Sequence, residues 1–288
     1  MTESTRPPST LPPSTQPPSA VPPRWSRYVA VGDSFTEGLW DIDPDDEGRC
    51  RGWADILATR LSSRRTDAGL PALEYANFAI RGRLLGPILA DQVPTAIALQ
   101  PDLVSLVGGG NDILRPTADL DAMARNLEAA VARLRATGAD VLLSTGVDPV
   151  DSPIVRRTRG RIGIYNTHIW SIARRQGAQV LDLWGMRSLR DARLWAPDRI
   201  HLTTEGHARV AQAALVALDL APDDAAWDDS LAPVPPAPRR QRALADAAWL
   251  REYAYPWATR RLRGRSSGDL RAAKRPVLGP IEAGRAVR

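Results

Sequence analysis

The chain has 288 residues, of which 43% are hydrophobic and 25% are charged, a composition that suits one α/β domain of roughly 200 residues with tails. No apolar run approaches the ~20 residues of a membrane span, so a membrane-spanning protein is not expected. The single cysteine, Cys50, excludes an internal disulfide framework and a cysteine-based zinc site. The first residues lack the apolar core of a secretory signal, and we expect a cytoplasmic protein.

Charge is unevenly distributed along the chain. From Arg239 to Arg288, thirteen basic residues stand against four acidic ones, a net charge of +9, whereas the whole chain carries +5. The preceding part of the protein is therefore mildly acidic. Only the C-terminal segment is expected to attract anionic partners.

The two ends of the chain differ in composition from its middle. Residues 1–24 are rich in Pro, Ser and Thr and include eight prolines, so they bury too little apolar surface to offset the entropy lost on ordering. We therefore expect a disordered tail over 1–24 and a main domain over 25–221. Residues 222–288 are expected to form an extension that begins with a proline-rich linker at 233–238 and continues with the basic segment.

Within the main domain, short apolar β-prone runs alternate with stretches of helical periodicity. Strands are predicted at 27–31, 73–78, 103–107, 141–144 and 179–183. Helices are predicted at 53–64, 84–99, 119–138, 162–176 and 204–218, the last with Thr203 as its N-cap, and a further helix at 241–263 that Pro256 interrupts. This alternation predicts an α/β fold, a three-layer α/β/α sandwich with a doubly wound, mostly parallel sheet.

Four short motifs follow predicted strands or lie on a later loop at the same end of the sheet. They are Gly32-Asp33-Ser34-Phe35, Gly82, Gly109-Gly110-Asn111-Asp112 and Asp198-Arg199-Ile200-His201. In an open parallel sheet, ligands bind beyond the carboxyl ends of the strands, especially where the strand order reverses. With a strand order of 2-1-3-4-5, Ser34 and Asn111 are expected on opposite sides of one crevice.

Three of these residues have the chemistry that acyl transfer requires. A serine hydroxyl becomes an effective nucleophile when a neighbouring base takes its proton, and histidine is the usual base. Ser34 and His201 are the candidates for these two roles. Asp198, three residues before His201, is placed to bind the other ring nitrogen and to stabilise the imidazolium.

The negative charge that develops on the substrate oxygen requires fixed hydrogen-bond donors. The backbone N–H groups of Ser34 and Gly82 and the side-chain amide of Asn111 are the candidates for this oxyanion hole. Lys274 is the only lysine, which excludes a phosphate-binding P-loop. The residues therefore predict a serine hydrolase that acts on a small-molecule ester.

On these motifs the chain resembles the SGNH, or GDSL-type, hydrolase family over about residues 27–218. The resemblance implies a flavodoxin-like α/β/α sandwich and hydrolysis of esters or thioesters through an acyl-enzyme, with no organic cofactor and no metal. It also implies Ser34 as the nucleophile, Gly82 and Asn111 in the oxyanion hole, and Asp198 with His201 as the acid and base. Two residues depart from the family pattern: Phe35 replaces the leucine of the GDSL name, and Ala79 stands where many relatives have glycine.

Several alternatives stay open at this stage. The same chemistry is compatible with an acyltransferase, and the chain could instead be a non-catalytic binding module that acts through its basic tail. In that tail, the Trp and Tyr residues of 249–257 either pack onto the main domain or, with the arginines, contact an anionic surface. No specific nucleic-acid partner is expected.

Other chemistry-bearing residues receive less specific interpretations. His168 and His207 are expected to be structural, because each falls within a predicted helix. The acidic stretch 41–47 does not match a calcium-binding loop and is expected to be a solvated loop. Arg81 and Arg83, which flank Gly82, either bind an anionic part of a substrate or face solvent.

Overall fold

The computed structural model describes residues 23–43, 46–150, 152, 155–235, 237–256, 259 and 267–282. The predicted N-terminal tail, apart from its last two residues, lies outside the described residues, and so does Trp257. Within the described ranges, no helix is long and apolar enough to cross a membrane.

A six-stranded sheet forms the centre of the described structure. Its strands are β1 (Arg27–Val31), β4 (Glu74–Asn77), β5 (Leu103–Leu106), β6 (Asp140–Ser144), β7 (Gln179–Leu181) and β8 (Arg275–Pro280). Two further strands, β2 (Ile42–Asp43) and β3 (Asp46–Cys50), form a separate pair. The order in the large sheet is β7-β6-β5-β1-β4-β8, and all neighbours except β4 and β8 run parallel. Counted along the chain, the five parallel strands therefore have the predicted order 2-1-3-4-5, which reverses between β1 and β5.

Helices connect the parallel strands, and further helices follow the last of these strands. They are α1 (Ser34–Glu37), α2 (Gly52–Asp67), α3 (Leu85–Pro87), α4 (Val93–Ala98), α5 (Gly110–Ile113), α6 (Leu120–Arg135), α7 (Arg159–Gln176), α8 (Thr204–Ala217) and α9 (Arg239–Trp249). The Thr203 side chain caps α8, as predicted from the sequence, and the Asp119 side chain caps α6. The helix predicted at 84–99 is divided into α3, a π-helical turn and α4, with Pro94 in the first turn of α4, where a proline costs little.

The alternation of side chains along β1 divides the hydrophobic core into two clusters, one on each face of the sheet. Tyr28 and Ala30 pack in the cluster that contains α2 and α8, whereas Val29 and Val31 pack in the cluster that contains α6 and α7. Because helices cover both faces, the inner strands are continuous apolar runs rather than alternating ones. The three-layer α/β/α sandwich predicted from the sequence is therefore confirmed.

The polar stretch between β1 and α2 is more ordered than the sequence suggests. β2 and β3 pair as a small antiparallel hairpin within it. Asp41 is fully buried, and its carboxylate accepts hydrogen bonds from the Gly52 N–H at 3.0 Å and the Thr204 hydroxyl at 2.8 Å. The expectation of a solvated acidic loop is therefore wrong for Asp41, because these donors hold its carboxylate between α2 and α8. Residues 44 and 45 lie outside the described residues.

The C-terminal extension contributes the sixth strand of the sheet. β8 pairs antiparallel with β4, with Tyr75 opposite Gly279, and so covers the edge of the parallel sheet. This strand was not predicted from the sequence, because its two prolines, Pro276 and Pro280, disfavour a strand assignment. An edge strand tolerates them since only one of its sides is paired.

Lys274 fastens the extension to the main domain. Its ammonium group, buried just before β8, donates hydrogen bonds to the carbonyl oxygens of Glu37 at 2.6 Å and Cys50 at 2.9 Å, and forms an ion pair with Asp55. Burial raises the pKa of Asp55 to about 6, although Lys274 acts in the opposite direction. The pair is therefore a strong constraint, since the loss of one partner leaves a buried charge uncompensated.

We expect Lys274→Met to lower the free energy of unfolding by about 3–5 kcal/mol, the usual effect of removing one partner from a buried ion pair. Urea denaturation at pH 7 measures the change. The exposed residue Arg271 supplies a matched control, because Arg271→Met should leave stability nearly unchanged. The double variant Lys274→Met/Asp55→Asn should be more stable than Lys274→Met alone, and a lower stability would contradict this account.

Candidate active site

The chain after β1 places Ser34 at the start of a short helix. Gly32 is required there, since a Cβ on it would lie 2.7 Å from the Val107 carbonyl oxygen after β5. The Asp33 side chain accepts a hydrogen bond from the Phe35 N–H at 3.1 Å and caps α1. Ser34 is the first residue of α1, so its own N–H has no partner within the helix and is available to a ligand.

The structure brings Ser34, His201 and Asp198 together, although Ser34 lies far from the other two in sequence. The Nε2 atom of His201 is 2.8 Å from the Ser34 hydroxyl oxygen, and its Nδ1 atom is 2.6 Å from Oδ2 of Asp198. An ionised carboxylate only accepts hydrogen bonds, so Nδ1 carries the proton and Nε2 is left to accept one from the Ser34 hydroxyl. This is the hydrogen-bond geometry of a nucleophile, its base and the group that orients the base.

The Asp198 carboxylate is ionised at neutral pH. Its Oδ1 atom accepts hydrogen bonds from the backbone N–H groups of Ile200 and His201, both at 3.0 Å. Partial burial alone would raise the pKa of Asp198, but these donors and the His201 ring outweigh burial and hold it at about 2. Asp198 therefore remains a hydrogen-bond acceptor for His201 at every pH at which the protein is expected to work.

A tight loop before α8 sets the positions of Asp198 and His201. The Ala196 N–H donates to the His201 carbonyl oxygen at 2.8 Å, and Trp195 forms an isolated antiparallel bridge with Leu202. Arg199, at the turn, has φ +60, a left-handed conformation that is unusual for an arginine. The loop thus folds back on itself, and Thr203 begins α8 directly after it.

Asn111 lies at the start of α5 after β5, the strand that pairs with β1 in the sheet. Its side-chain nitrogen is 3.2 Å from Oδ2 of Asp33 and 3.1 Å from the Arg83 carbonyl oxygen. Both hydrogens of the amide are therefore engaged. Burial is the main reason that the pKa of Asp33 is raised to about 6. An incoming anion has to replace or share one of these two acceptors.

Gly82 lies in the turn between Arg81 and Arg83, and its φ of +72 favours glycine. The Arg81 N–H and Nε donate to the buried Glu37 carboxylate of α1 at 2.7 and 2.8 Å, which ties the turn to the helix that begins with Ser34. On the other side, the Arg83 carbonyl oxygen is bound by Asn111. The turn is thus held between the elements that carry Ser34 and Asn111. Arg81 forms an ion pair with Glu37, so it neither faces solvent nor is free to bind an anionic part of a substrate, the two alternatives considered from the sequence.

The other two histidines lie outside this hydrogen-bond chain. His168, on α7, pairs with Asp121 at 3.0 Å. His207, on α8, is buried, and its Nδ1 atom accepts a hydrogen bond from the Trp53 N–H at 3.3 Å. Burial lowers the pKa of His207 to about 4, so this side chain is neutral at pH 7.

The buried His207 makes stability depend on pH. Between pH 6.5 and about 4 the unfolded chain binds a proton at His207 that the folded protein does not, so stability falls as pH is lowered through this window. We expect wild type to lose on the order of 3 kcal/mol relative to His207→Leu between pH 7 and 4. Urea denaturation of both proteins at several pH values measures this difference.

The comparison isolates His207 from other buried groups. The raised pKa values of Asp33 and Asp55 act in the opposite direction, since they favour the folded state as pH falls from 6. Both aspartates are present in wild type and variant, so their effects cancel in the difference. Parallel stability curves for the two proteins would contradict the assignment of a neutral buried His207.

Two tryptophans near Asp198 were not identified from the sequence as site residues. The Trp40 indole N–H donates to Oδ2 of Asp198 at 2.7 Å, and the Trp249 indole N–H donates to the Asp198 carbonyl oxygen at 3.0 Å. No local sequence pattern could indicate these contacts, because each tryptophan lies far from Asp198 in the sequence. Among the described residues, no group of three or more His, Cys, Asp or Glu side chains is placed to hold a metal ion.

The chain is similar to known proteins in sequence and in fold. A family model described as the GDSL-like Lipase/Acylhydrolase family matches residues 30–209. LAE5, an alpha/beta hydrolase from the metagenome of Lake Arreo, Spain, is 24% identical with a TM-score of 0.57, over 67% of this chain and 95% of that chain. Comparison with curated proteins gave no match.

Two further solved structures are similar. A variant of Axe2, an acetyl xylan esterase from Geobacillus stearothermophilus, is 19% identical with a TM-score of 0.56, over 68% of this chain and 95% of that chain. TesA is 25% identical with a TM-score of 0.52, over 67% of this chain and 97% of that chain.

The doubly wound sheet and the family match define an esterase of the α/β class, a carboxylic ester hydrolase. The family match covers more than half of the chain and includes the end of β1, all of β5 and the loop that carries Asp198. The chain belongs to the GDSL-like lipase/acylhydrolase family.

Proposed function

We propose that the protein hydrolyses carboxylic esters through a covalent acyl-enzyme on Ser34. The observation that carries the proposal is the unbroken hydrogen-bond chain from the Ser34 hydroxyl through both nitrogens of His201 to the Asp198 carboxylate. A serine outside such a chain has no base to accept its proton and is a poor nucleophile. The position of this chain at the reversal of strand order, where α/β proteins bind ligands, supports the same conclusion.

The proposed reaction has two stages. The Ser34 oxygen attacks the ester carbonyl carbon while Nε2 of His201 takes its proton, and Asp198 stabilises the imidazolium that forms. His201 then returns the proton to the leaving alcohol, which departs as the acyl-enzyme forms. In the second stage His201 removes a proton from water, the water attacks the acyl carbon, and Ser34 recovers its proton.

The proposed oxyanion hole combines three donors from three elements. The Ser34 N–H at the start of α1 and the Gly82 N–H in the turn after β4 are backbone donors, and the Asn111 amide is the side-chain donor. Fixed donors of this kind stabilise the transition state more than they stabilise the neutral carbonyl. Both hydrogens of the Asn111 amide are already engaged by acceptors of the protein. The oxyanion therefore either replaces the Asp33 carboxylate as the acceptor of one of them or shares that hydrogen with it.

Covalent labelling tests the proposal directly. A fluorophosphonate probe should modify the protein at Ser34, and peptide mass spectrometry should locate the adduct on that residue. Ser34→Ala should not be labelled, whereas wild type pre-treated with an ester substrate should be labelled more slowly. A well-folded wild-type protein that hydrolyses esters but carries no adduct at Ser34 would reject this mechanism.

We infer that the substrate is a small-molecule ester, and similarity to an acetyl xylan esterase makes an acetylated saccharide one candidate. A panel of p-nitrophenyl esters from acetyl to long acyl, with an acetylated saccharide added, would define the preference. Adding competing alcohols to the same assay separates hydrolysis from acyl transfer. Formation of a new ester as the main product would identify the protein as an acyltransferase.

We propose, as a separate activity of the extension, salt-dependent contact with an anionic surface through Arg239, Arg240 and Arg242, all exposed at the start of α9. Replacing all three with Gln should abolish salt-dependent retention on anionic vesicles. Replacing three exposed arginines elsewhere, Arg125, Arg133 and Arg174, is the matched control for lost charge and should preserve it. Equal retention of the two variants would contradict the proposal.

A further inference from the structure

We propose that Trp40, Trp249 and Tyr253 are positioning residues for Asp198 and His201. The C-terminal extension, which carries Trp249 and Tyr253, therefore helps to set the geometry of the active site. The inference rests on the proposed function, because it concerns the two residues that act on the Ser34 hydroxyl. It is carried by contacts on both sides of the 196–201 loop, one from the turn after α1 and one from α9 and the residues after it.

The first contact comes from Trp40. Its indole N–H donates to Oδ2 of Asp198 at 2.7 Å, the same oxygen that Nδ1 of His201 contacts at 2.6 Å. The carboxylate thus accepts four hydrogen bonds, of which two come from backbone N–H groups of its own loop. Trp40 is the donor that reaches it from a distant part of the chain, and it fixes the direction in which Oδ2 faces.

The backbone around Trp40 is built to hold this position. Trp40 has φ +77, a left-handed conformation that is unfavourable for a bulky residue and persists only where surrounding contacts determine it. The turn is closed by a hydrogen bond from the Asp41 N–H to the Gly38 carbonyl oxygen at 3.0 Å. Asp41 is in turn buried and bound to Thr204, the first residue of α8. The indole is therefore anchored on the helix that follows the Asp198 loop.

The second contact comes from α9. This helix is exposed along its length except for Trp249, whose indole N–H donates to the Asp198 carbonyl oxygen at 3.0 Å. The guanidinium of Arg199, the next residue in the loop, lies 5.3 Å from the centre of the Trp249 ring and pairs with Asp246 at 2.7 Å. The one buried side chain of α9 thus binds the main chain of Asp198.

The two contacts are joined by Tyr253. Its ring lies 6.2 Å from the ring of Trp40 at an interplanar angle of 60°, a geometry that aromatic pairs favour. Tyr253 follows Trp249 by one helical turn in the π-helical segment Leu250–Ala254. The extension therefore contacts the main chain of Asp198 directly and its carboxylate through Trp40, which makes it a clamp on the residue that orients His201.

The clamp has a chemical consequence as well as a geometric one. A hydrogen bond from Trp40 withdraws charge from Oδ2, so its loss leaves a more basic carboxylate that stabilises protonated His201 more strongly. The acid limb of the rate profile should then move to higher pH. Asp33 after β1 and His207 on α8 also interact electrostatically with His201, and both are retained in the variants below.

Trp40→Phe is the first test, since it removes the N–H and keeps a ring against Tyr253. On p-nitrophenyl acetate we expect kcat to fall about tenfold with KM within about twofold, and the acid limb of kcat/KM to move to higher pH. Trp170→Phe, at a half-exposed tryptophan on α7, is the matched control and should behave as wild type. A wild-type kcat and pH profile for Trp40→Phe would overturn the proposal.

The extension is tested by Trp249→Phe and Tyr253→Ala. Each should lower kcat by a smaller factor than Trp40→Phe, and thermal unfolding should show that each remains folded. Because Tyr253 acts through Trp40, the double variant Trp40→Phe/Tyr253→Ala should lose no more activity than Trp40→Phe alone. Unchanged kcat in both single variants, or multiplying losses in the double variant, would remove the extension from the site.

Ser34→Ala, measured beside these variants, separates a failure of the proposed function from a failure of the clamp on Asp198. If Ser34→Ala retains activity, the proposed function itself fails. If Ser34→Ala is inactive and Trp40→Phe matches wild type, the function stands and the clamp alone fails.

Discussion

Ser34→Ala and His201→Ala should each lower kcat/KM for a short p-nitrophenyl ester by at least about 1000-fold, as expected for members of one catalytic unit. Without the hydroxyl there is no nucleophile, and without the imidazole the hydroxyl 2.8 Å away keeps its proton. Steady-state kinetics at pH 7–8 on purified variants measures the loss. Neither side chain belongs to the two hydrophobic core clusters, so the variants should fold normally.

The double variant tests whether Ser34 and His201 act in the same catalytic step. The double variant Ser34→Ala/His201→Ala should be no slower than either single variant, because each change alone already disables the same step. His168→Ala is the matched histidine control, since His168 pairs with Asp121 on the helical layer and should retain full activity. If Ser34→Ala keeps more than a few per cent of the wild-type rate, another group is the nucleophile.

Asn111→Ala should lower kcat by about 100- to 1000-fold and leave KM nearly unchanged, the usual effect of removing one oxyanion donor. The amide is expected to bind the charge that appears in the transition state and to contribute little to binding of the neutral ester. Parallel measurement of kcat and KM on the same ester separates the two effects. A larger effect on KM than on kcat would instead place Asn111 in substrate binding.

Asn111→Ala also tests the contact with Asp33. The variant leaves the buried Asp33 carboxylate without the amide donor at 3.2 Å, so some loss of stability should accompany the loss of rate. Asn126→Ala, at an exposed position on α6, is the matched control and should change neither quantity. Restoration of activity by Asn111→Gln is not expected, because the longer side chain displaces the donor from its place.

The role of the extension changes how the protein should be divided for experiments. β8 covers the edge of the sheet at β4, and Lys274 bonds to the main chain of Glu37 and Cys50. A truncation after 221 would therefore remove sheet pairing together with the basic segment, so its effects could not be assigned to charge alone. Point variants in α9 are the appropriate test of the extension.

Much of the fold and of the candidate site is encoded locally, which is why it could be predicted from the sequence. The continuous apolar run of β5 indicates a strand covered on both faces, and Thr203 marks a helix start because a side-chain cap depends only on neighbouring residues. The motifs that contain Ser34, Asn111 and His201 follow strands or precede a helix, so their common edge follows from the topology of a parallel sheet. The hydrogen-bond distances between them did not follow from the sequence.

The remaining features were decided only by the tertiary structure. β8 pairs with β4 across about 200 residues, and Trp40 meets Asp198 across 158 residues, although no local pattern distinguishes either segment. The burial of Asp41 likewise depends on the placement of α2 beside α8. Local propensity acts within a few residues, whereas edge-strand pairing and buried polar contacts depend on which distant surfaces meet, and this is set only when the whole core packs.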